Sequence, residues 1–464
     1  MKPRIGLVGL TAELYKEKWP GLVDELEKFS CTLRRVCSDF AEVYHVSAAY
    51  TKEQVSNAFD RFNNEKLDGV ILVFLSYSPS KIIEPVIARF RGLPILIWNT
   101  QKLCAIGANF SMDDMLYNHG MHGVQDLANV LLRKKIKFSL ITGHFEDASV
   151  ISEVGLWCIA ARVANYLKGA RIGRIGGRFK DMGDFAIGDR TIFEKFGAPV
   201  LNIPVKRIAE ESRKVTKRDI DGLMEEDRKR FDVDAGLDAE THFKSARMEL
   251  ALRKIIRDEH LAGLAINFTG FYGEEGSETI PFSAISKFLA EGFGYAGEGD
   301  VLCALSVLIL QKLCGNANFV EMFTTDYQNN RVLMSHMGES NPLTARAGSS
   351  IKLVKKPMDV TGPGIATAMM LFPFKPGPVT LFNIAPAHSS EFRLITAVAE
   401  IEDAPLFDGI LSPHFILKTS RNVGNFLNEY SMLGGTHHLA MAYGDVRAGI
   451  RHLAVILNTP CFEI

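Results

Sequence analysis

Three stretches in the second half of the chain carry carboxylates and imidazoles that could act together. Glu298 lies between two glycines in "FGYAGEGD", directly before an apolar helix pattern. Glu321 and His336 lie in "FVEMFTTDYQNNRVLMSHM", and His437 and His438 are adjacent in "LGGTHHLAMAYGD". Carboxylates and imidazoles without a thiolate are ligands that suit Mn²⁺, Mg²⁺ or Co²⁺ with positions left open for water or substrate. The residue types therefore indicate a catalytic divalent-metal site rather than a closed structural zinc site.

The segment around Glu298 also has a purely structural interpretation. Asp300 occupies the position of an N-cap ahead of an apolar helix, and Gly297 and Gly299 supply turn dihedrals. Glu298 would then be an exposed turn residue. The alternative is that flexible glycines on both sides of a carboxylate let the backbone approach a ligand closely. This segment alone favours the structural interpretation.

The second stretch predicts a β-hairpin with Asn329 and Asn330 in a two-residue turn. In that register Glu321 lies opposite Gly338, and His336 is its diagonal neighbour on the same face, about 7–8 Å away. A carboxylate and an imidazole at that separation can reach one ion. A slip of one residue would place them on opposite faces, so a solvated Glu321 and a hydrogen-bonded His336 remain the alternative.

The adjacent histidines follow two glycines. In an extended backbone, neighbouring side chains point to opposite faces. We therefore expect at most one of His437 and His438 to serve a given site, and the spacing leaves open which one.

The elements that must position these residues are of two kinds. Up to Lys168, continuous apolar strands such as "RIGLVGL" and "DGVILVFLSY" alternate with helix patterns, which predicts a parallel sheet covered on both faces. A second α/β segment begins near Gly169, and short β-type runs separated by Pro, Gly and Asn begin near Asn316. We predict an α/β protein with two Rossmann-like domains, 1–168 and 169–315, and an antiparallel β-rich domain, 316–464.

Composition narrows the function classes. The 464-residue chain has a formal net charge of −1 with Lys and Arg spread throughout, so a nucleic-acid or anionic-membrane partner is not expected. The apolar run Val301–Leu310 is about half the ~20 residues of a bilayer helix, and the N-terminus lacks a signal-peptide pattern. Seven scattered cysteines without a CxxC pair suit reduced thiols in a cytoplasm.

Nucleotide binding is not favoured. "GLVGLTAE" and "IGRIGGR" are glycine-rich strand ends, but neither has the G-x-G-x-x-G spacing or a suitable acidic residue after a second strand.

The chain resembles the L-arabinose isomerase family, within the wider L-fucose/L-arabinose isomerase group. The matching segments occur in the family's order, namely "SYSPSK", "NTQ", "NHGMHGVQDLAN", "TGHFED", "FKDMGDFAIGD", "GFGYAGEGD", "FVEMFTTDY", "SHM" and "GGTHH". The resemblance implies a metal-dependent aldose–ketose isomerase. It places the metal ligands at Glu298, Glu321, His336 and His438, with the two glutamates also serving as the acid/base pair.

The resemblance also implies substrate contacts and an assembly. His122 matches a histidine that reaches the active site of a neighbouring subunit, and Tyr77, Met182 and Phe268 match the walls of the sugar pocket. The family further implies three domains and homotrimers or homohexamers with active sites at subunit interfaces.

The chain departs from the family pattern after its first strand. Where arabinose isomerases carry Ser-Gln-His-Leu-Tyr-Gly, with a glutamine that touches the sugar, this chain has "LTAELY" with Ala12 and Glu13. "YGEEGSETIP" is inserted beside Phe268. We therefore expect an isomerase of a pentose, hexose or deoxy sugar, most simply with Mn²⁺. The alternative is a non-catalytic sugar-binding protein on the same fold.

Overall fold

The structure, a computed structural model, describes residues 2–89, 92–273, 278–358, 364–388 and 390–464. Up to Leu167, strands and helices follow in the order β1 (Arg4–Leu10), α1 (Glu13–Lys18), α2 (Pro20–Ser38), β2 (Glu42–Ala49), α3 (Lys52–Asn64), β3 (Gly69–Phe74), α4 (Glu84–Arg89), β4 (Ile95–Asn99), α5 (Met112–Tyr117), α6 (Met121–Arg133), β5 (Ser139–Thr142) and α7 (Ala148–Leu167).

The middle of the chain continues the alternation of strands and helices. Its elements are β6 (Arg171–Ile175), α8 (Asp189–Phe196), β7 (Val200–Ile203), α9 (Lys206–Ser212), α10 (Lys217–Arg230), β8 (Asp232–Val233), α11 (Ala239–Asp258), β9 (Leu261–Ile266), α12 (Phe282–Ala290), β10 (Gly294–Gly297) and α13 (Val301–Leu313).

The last third is rich in strands. Its elements are β11 (Asn318–Asp326), β12 (Arg331–Ser335), β13 (Lys352–Pro357), β14 (Ala366–Leu371), β15 (Gly377–Pro386), β16 (Phe392–Ile401), β17 (His414–Thr419), α14 (Val423–Met432), β18 (His438–Tyr443), α15 (Arg447–Leu457) and β19 (Cys461–Glu463).

The first sheet is parallel throughout, with the strand order β2-β1-β3-β4-β5. Its central strands are buried along their length because helices cover both faces. This confirms the α/β prediction for this part of the chain. The sequence pattern missed β2, whose half-exposed edge residues do not form a continuous apolar run.

The second sheet is also parallel, in the order β10-β9-β6-β7. The sequence analysis assigned "FGYAGEGD" to a turn and a helix cap, but its first half is the edge strand β10. Glu298 therefore comes directly after the carboxyl end of a parallel strand, where α/β sheets place their ligands.

The third sheet is antiparallel and closes on itself. Its order is β15-β18-β11-β12-β17-β16, and β15 also pairs with β16, so the six strands form a barrel. The predicted antiparallel β region is confirmed, with two parallel additions: β19 joins β16, and β8 joins β13 in a small sheet with β14.

The chain divides into two compact units. The first unit runs to Tyr166 and includes Ala448–Asn458; the second unit comprises Leu167–Arg447 and Thr459–Ile464. The second unit contains both the four-stranded sheet and the barrel. The division into three domains at 168 and 315 stays a prediction.

Helix α7 is long and apolar enough, by length and composition, to cross a membrane. It packs Val154 and Trp157 into the core of the first unit, and fewer than half of the residues in its apolar window are buried. All seven cysteines are free thiols, as the sequence predicts.

Candidate metal centre

Glu298 is held in a strained loop between β10 and α13. Its φ is +59° and that of Gly299 is +77°, in the left-handed region that few non-glycine residues adopt. A Cβ on Gly299 would lie 2.1 Å from the carbonyl oxygen of Gly177, and one on Gly297 would lie 2.9 Å from Cε1 of His336. The glycines therefore let a neighbouring loop and a histidine ring approach Glu298 closely.

Asp300 caps α13 as the sequence predicts. Its Oδ1 accepts a hydrogen bond from the Cys303 amide at 3.0 Å. Its other oxygen, Oδ2, lies 2.9 Å from Nδ1 of His438. One buried carboxylate thus fixes both the start of a helix and the orientation of a histidine ring.

The predicted hairpin register is wrong. Glu321 pairs with Ser335 rather than Gly338, because residues 327–330 form a four-residue loop and β11 bulges between Met322 and Thr324. The loop is stabilised by Asp326, whose carboxylate accepts hydrogen bonds from the Asn329 amide at 3.0 Å and from the Arg331 guanidinium at 2.7 Å.

Glu321 and His336 nevertheless meet. His336 follows the last residue of β12, and its Nε2 lies 3.6 Å from Oε1 of Glu321. The predicted neighbourhood is therefore present, although it arises from the end of the strand rather than from a diagonal pair within it.

Both adjacent histidines face the same site, which contradicts the expectation that only one can. His437 lies in a bend before β18 begins, so the alternation of an extended backbone does not apply to it. The two ring centroids are 3.9 Å apart. The Nε2 atoms of His437 and His438 lie 3.6 and 3.7 Å from Oε2 of Glu298.

These side chains form two overlapping groups with the geometry of a metal site. Glu298, His437 and His438 form one group, and Glu321, His336 and His438 form the other; the donor atoms within each group lie within 4.8 Å of one another. His438 belongs to both groups, and its Nε2 is 2.9 Å from Oε1 of Glu321. The four residues predicted as ligands are thus brought together, and His437 joins them.

A ring of outer carboxylates orients the histidines. Nδ1 of His438 faces Asp300, Nδ1 of His336 lies 2.9 Å from Glu339, and Nδ1 of His437 lies 2.7 Å from Asp184. Tyr295 donates a hydrogen bond to Glu339 in turn. With each Nδ1 facing an outer carboxylate, each Nε2 faces the centre, an arrangement that recurs around metal-bound histidines.

Sequence reasoning missed three of the residues in this arrangement. Asp184 lies in the quoted motif "FKDMGDFAIGD", more than 250 positions from His437, so no local spacing connects them. Glu339 follows His336 by three residues, a spacing that could have indicated a contact between them but is not specific to metal sites. His437 was the excluded member of the pair.

Two aromatic rings pack against the histidines. Phe319 packs edge-on against His336 and His438, with centroid distances of 4.3 and 4.8 Å. Phe185 stacks on His438 at 5.3 Å and contacts His437 at 5.8 Å. These rings restrict the imidazoles to one orientation and keep bulk water from their faces.

Two ligand atoms at the centre, Oε2 of Glu298 and Nε2 of His437, are buried without a hydrogen-bond partner among the described residues, and Nε2 of His438 has one close contact, at 2.9 Å from Oε1 of Glu321. Burying a polar atom unpaired costs about 1–3 kcal/mol, so unpaired atoms at one place call for a common partner. Two carboxylates and imidazole nitrogens are the donor set of a divalent cation with open positions. The residues present therefore fit a metal ion.

The neighbouring carboxylates raise the pKa values of two of the imidazoles. Burial lowers the pKa of His437, but Asp184 and Glu298 outweigh it and raise the pKa to about 10. Burial likewise lowers the pKa of His438, and Asp300 and Glu321 raise it to about 9. In the metal-free protein these imidazoles therefore hold their protons at neutral pH.

The four residues predicted as substrate contacts lie in two places. Met182 is half-buried two residues before Asp184, and Phe268 packs edge-on against Phe179 at 6.3 Å, both within the second unit. The Phe179 amide donates a hydrogen bond to the carbonyl of Glu298 at 2.9 Å, which links the Phe268 wall to the candidate centre.

Tyr77 and His122 belong to the first unit, after β3 and in the first turn of α6. Residues 274–277 of the inserted "YGEEGSETIP" lie outside the described residues.

Family models match nearly the whole chain. The L-arabinose isomerase N-terminal domain matches residues 20–169, the central domain matches 175–316 and the C-terminal domain matches 316–460.

Several proteins with sequences similar to this chain are L-arabinose isomerases. The chain is 28% identical over 404 residues to an L-arabinose isomerase of Nocardioides sp., covering 83% of this chain and 77% of that protein. It is 25% identical over 418 residues to an L-arabinose isomerase of Herpetosiphon aurantiacus, covering 85% and 80%. It is 26% identical over 424 residues to an L-arabinose isomerase of Phocaeicola vulgatus, covering 87% and 81%.

The α/β fold, the barrel and these matches identify an isomerase that interconverts aldose and ketose sugars. The chain belongs to the L-arabinose isomerase family, which confirms the resemblance inferred from its motifs.

Proposed function

We propose that the protein is a metal-dependent isomerase of a pentose, hexose or deoxy sugar, with Glu298 and Glu321 as acid and base. The observation that carries the proposal is that Glu298, Glu321, His336 and His438 belong to two overlapping groups whose ligand atoms lie within 4.8 Å of one another, with Oε2 of Glu298 buried and unpaired among the described residues. A non-catalytic sugar-binding protein would not require two carboxylates around shared imidazoles.

The ion would be held by Glu298, Glu321, His336 and His438, the four residues that the family resemblance assigns. When bound, it would polarise the sugar carbonyl and stabilise the negative charge of an enediolate. An oxygen- and nitrogen-rich donor set without sulfur suits Mn²⁺, with Mg²⁺ or Co²⁺ as alternatives.

The protein side chains would move the proton. Burial raises the pKa of Glu321, but the charges of His336 and His438 outweigh it and lower the pKa. Glu321 is therefore ionised at neutral pH and can take a proton from the carbon next to the carbonyl. Glu298, whose Oε2 lies 3.6 and 3.7 Å from Nε2 of His437 and His438, would return a proton to the neighbouring carbon.

His437 has a supporting role in this proposal. Asp184 fixes its ring through Nδ1, so that Nε2 faces Glu298. Because it is half-buried at the edge of the centre, it can donate a hydrogen bond to a substrate oxygen.

Further parts of the proposal rest on the family resemblance. Met182, Phe268 and Tyr77 would line the sugar pocket, and His122 would reach the active site of a neighbouring subunit in a homotrimer or homohexamer. The protein would work in the cytoplasm, where its free thiols would stay reduced, and would need no nucleic-acid or membrane partner.

The experiment is a substrate and metal screen. Chelator-treated protein is incubated with Mn²⁺, Mg²⁺ or Co²⁺ and a panel of aldopentoses, aldohexoses and deoxy sugars, and the ketose formed is quantified. We expect conversion of at least one sugar with a divalent ion and none with the Glu321→Gln variant. Absence of turnover on the whole panel, with chelation leaving thermal stability unchanged, would refute the proposal.

The altered loop after β1 motivates the sugar-binding alternative, since Ala12, which is buried, and Glu13 lie where the family carries a glutamine that touches the sugar. Calorimetry with sugar and no metal separates the two functions. Binding that persists in Glu298→Gln without metal, in the absence of turnover, would favour the binding protein.

A further inference from the structure

The second unit contains a cavity that the candidate metal centre does not use. It lies where the end of α9 packs on α11, and its volume is about 270 Å³. None of the described residues that line it belongs to the metal centre or to the substrate contacts that the family resemblance implies. The volume is close to the lower bound of about 300 Å³ for small-molecule sites, so the cavity can hold more than a single small ion.

Cations and apolar side chains line this cavity from two helices. Lys244, Arg247 and Met248 share one face of α11, because residues three and four positions apart are neighbours on a helix surface. Met248 is buried, as is Ala209 of α9, whereas Lys244 and Arg247 are half-buried. Arg213, directly after α9, adds a third cation. The cavity therefore combines an apolar inner wall with positive charge nearer to solvent.

One acidic side chain lines the same cavity and shows that an anion is held there. The Glu278 carboxylate is paired with the Arg247 guanidinium, whose central carbon lies 5.7 Å from the centroid of the Phe243 ring. Both members of the ion pair are partly exposed, and exposed ion pairs contribute little to stability. A ligand with a higher negative charge can therefore take the place of Glu278 on Arg247.

Glu278 belongs to the segment "YGEEGSETIP", in which the chain departs from the family pattern. The next residue, Thr279, is buried and donates a hydrogen bond from its hydroxyl to the carbonyl of Ala366 at 2.8 Å. The same hydroxyl oxygen lies 3.5 Å from Oγ of Ser245 in α11. These contacts fix the end of the segment against α11 and β14, so the cavity is built in part by residues that distinguish this chain from the family pattern.

Positive charge exceeds negative charge around the cavity. Among the described residues that line it, the cations are Arg213, Lys244 and Arg247 and the acid is Glu278. Lys244 also pairs with the exposed Glu240 of its own helix at 2.7 Å. Guanidinium groups bind phosphate through two parallel hydrogen bonds, and a phosphate monoester carries a charge of about −1.5 to −2 at pH 7. A phosphate group therefore fits this charge and this donor geometry better than a neutral sugar or a single carboxylate.

We propose that this cavity binds a small phosphorylated metabolite. The three cations hold the phosphate group, and the buried Ala209 and Met248 contact the carbon skeleton. The hydroxyl of Ser212, a half-buried residue in the cavity wall, adds a neutral donor. The proposal goes beyond the proposed isomerase function and does not depend on it, because the cavity and the metal centre share no residue among those described.

The test measures binding by isothermal titration calorimetry with the full-length, metal-free protein at low ionic strength. The probes are glycerol 3-phosphate, inorganic phosphate and, as the neutral control, glycerol. The native protein should bind one glycerol 3-phosphate per chain, bind inorganic phosphate more weakly and show no binding of glycerol.

Variants then locate the site. Lys244→Gln and Arg247→Gln should each weaken glycerol 3-phosphate binding about 5- to 20-fold, because each removes a charged hydrogen-bond donor. Glu278→Gln should tighten binding about 2- to 5-fold, because it removes the carboxylate that competes for Arg247. Lys217→Gln, at an exposed residue of α10 paired with Asp221, is the matched control and should leave the affinity unchanged.

The opposite signs separate a binding site from damage to the fold, since a misfolded variant does not bind more tightly. Native affinity in both Lys244→Gln and Arg247→Gln, or weaker binding in Glu278→Gln, would overturn the site. Equal affinities of the native protein for inorganic phosphate and glycerol 3-phosphate would overturn the assignment of a metabolite and make free phosphate the ligand.

Discussion

Asp300 performs two tasks with its two oxygens. Oδ1 caps α13 through the Cys303 amide, and Oδ2 holds Nδ1 of His438. A side chain of this kind couples the geometry of the backbone to that of the site, because neither contact can shift without the other. The same carboxylate raises the pKa of His438.

The first prediction concerns the variant Asp300→Asn. The amide can still cap the helix, but it no longer presents a charged acceptor to His438, so the metal-free fold should persist while affinity for Mn²⁺ falls by about 10- to 100-fold. Competition titration with a chromophoric chelator measures this. Asp60→Asn, at an exposed residue of α3 paired with Arg89, should leave affinity unchanged, and equal affinities for both variants would contradict the orienting role.

The second prediction concerns the protons that metal binding releases. His438, one of the proposed ligands, has a pKa of about 9 in the metal-free protein, and an imidazole must lose the proton on the ligating nitrogen to bind a metal. Metal binding at pH 7 should therefore release protons, and metal affinity should rise as pH increases towards 9.

Calorimetric titration of Mn²⁺ in buffers with different ionisation enthalpies measures this release. The observed binding enthalpy should depend on the buffer. An observed binding enthalpy that is the same in every buffer at pH 7 would contradict this prediction, because it would show that His438 is already neutral before the metal binds.

The loop from β10 to α13 has a strained backbone next to the site. Gly299 combines a φ of +77° with a close approach to the Gly177 carbonyl oxygen. Alanine there adds both a left-handed strain and a clash with backbone that cannot move aside easily.

The third prediction is that Gly299→Ala lowers the free energy of unfolding by on the order of 1–3 kcal/mol. Gly21→Ala is the matched control, since Gly21 lies in α2 and a Cβ there meets nothing within 4 Å; it should be neutral or stabilising by up to about 1 kcal/mol. Urea unfolding measures both. Similar stability for the two variants would contradict the account of the loop.

Lys356 connects β13 to two loops of the second unit. From β13, its buried Nζ donates hydrogen bonds to the carbonyl of Met337, next to His336, and to the carbonyl of Leu411 and the hydroxyl of Ser412. Burial lowers its pKa from 10.5 to about 8, an effect that the charge of Glu339 opposes.

The fourth prediction follows from the sign of that shift. Below pH 8 Lys356 is protonated in both states, so it adds no pH dependence. Between about pH 8 and 10.5 the unfolded chain binds more protons than the folded one, so Lys356 contributes a rise in the free energy of unfolding with pH. Lys356→Met should flatten that rise relative to the native protein, whereas Lys352→Met, at an exposed residue of the same strand, should not. Urea unfolding of the native protein and both variants across this pH range measures the difference.

The sequence predicts the elements that are buried on both sides. β1, β3 and β4 are continuous apolar runs, and α7 and α13 are long apolar helices, so local pattern suffices for them. It does not predict the edge strand β2 or the closure of the barrel. Those depend on which strands pair, and pairing between distant segments leaves no periodicity in a single sequence.

The residues of the candidate site likewise divide into those that the sequence predicts and those that it does not. Residue types and the family motifs brought Glu298, Glu321, His336 and His438 together, although the hairpin register behind that expectation was wrong. His437 was missed because a bend replaced the assumed extended backbone.

At the scale of the molecule, the second unit joins a parallel sheet to a closed barrel. Glu298 comes from the carboxyl end of the sheet, while Glu321, His336 and His438 come from barrel strands or their ends. Side chains on so many rigid elements hold their geometry without the ligand, which is what preorganised electrostatic catalysis requires. We therefore expect one ion, held by both parts of this unit, to be required for isomerisation.

The most direct test measures metal content and turnover in the same samples. Metal-depleted protein is titrated with Mn²⁺, and both the bound ion and the rate of ketose formation from the best sugar are recorded at each step. Activity should return in proportion to a single bound ion per chain in the native protein, and Glu298→Gln should remain inactive at every Mn²⁺ concentration. Full turnover in the depleted protein, or activity in Glu298→Gln equal to that of the native chain, would contradict this expectation.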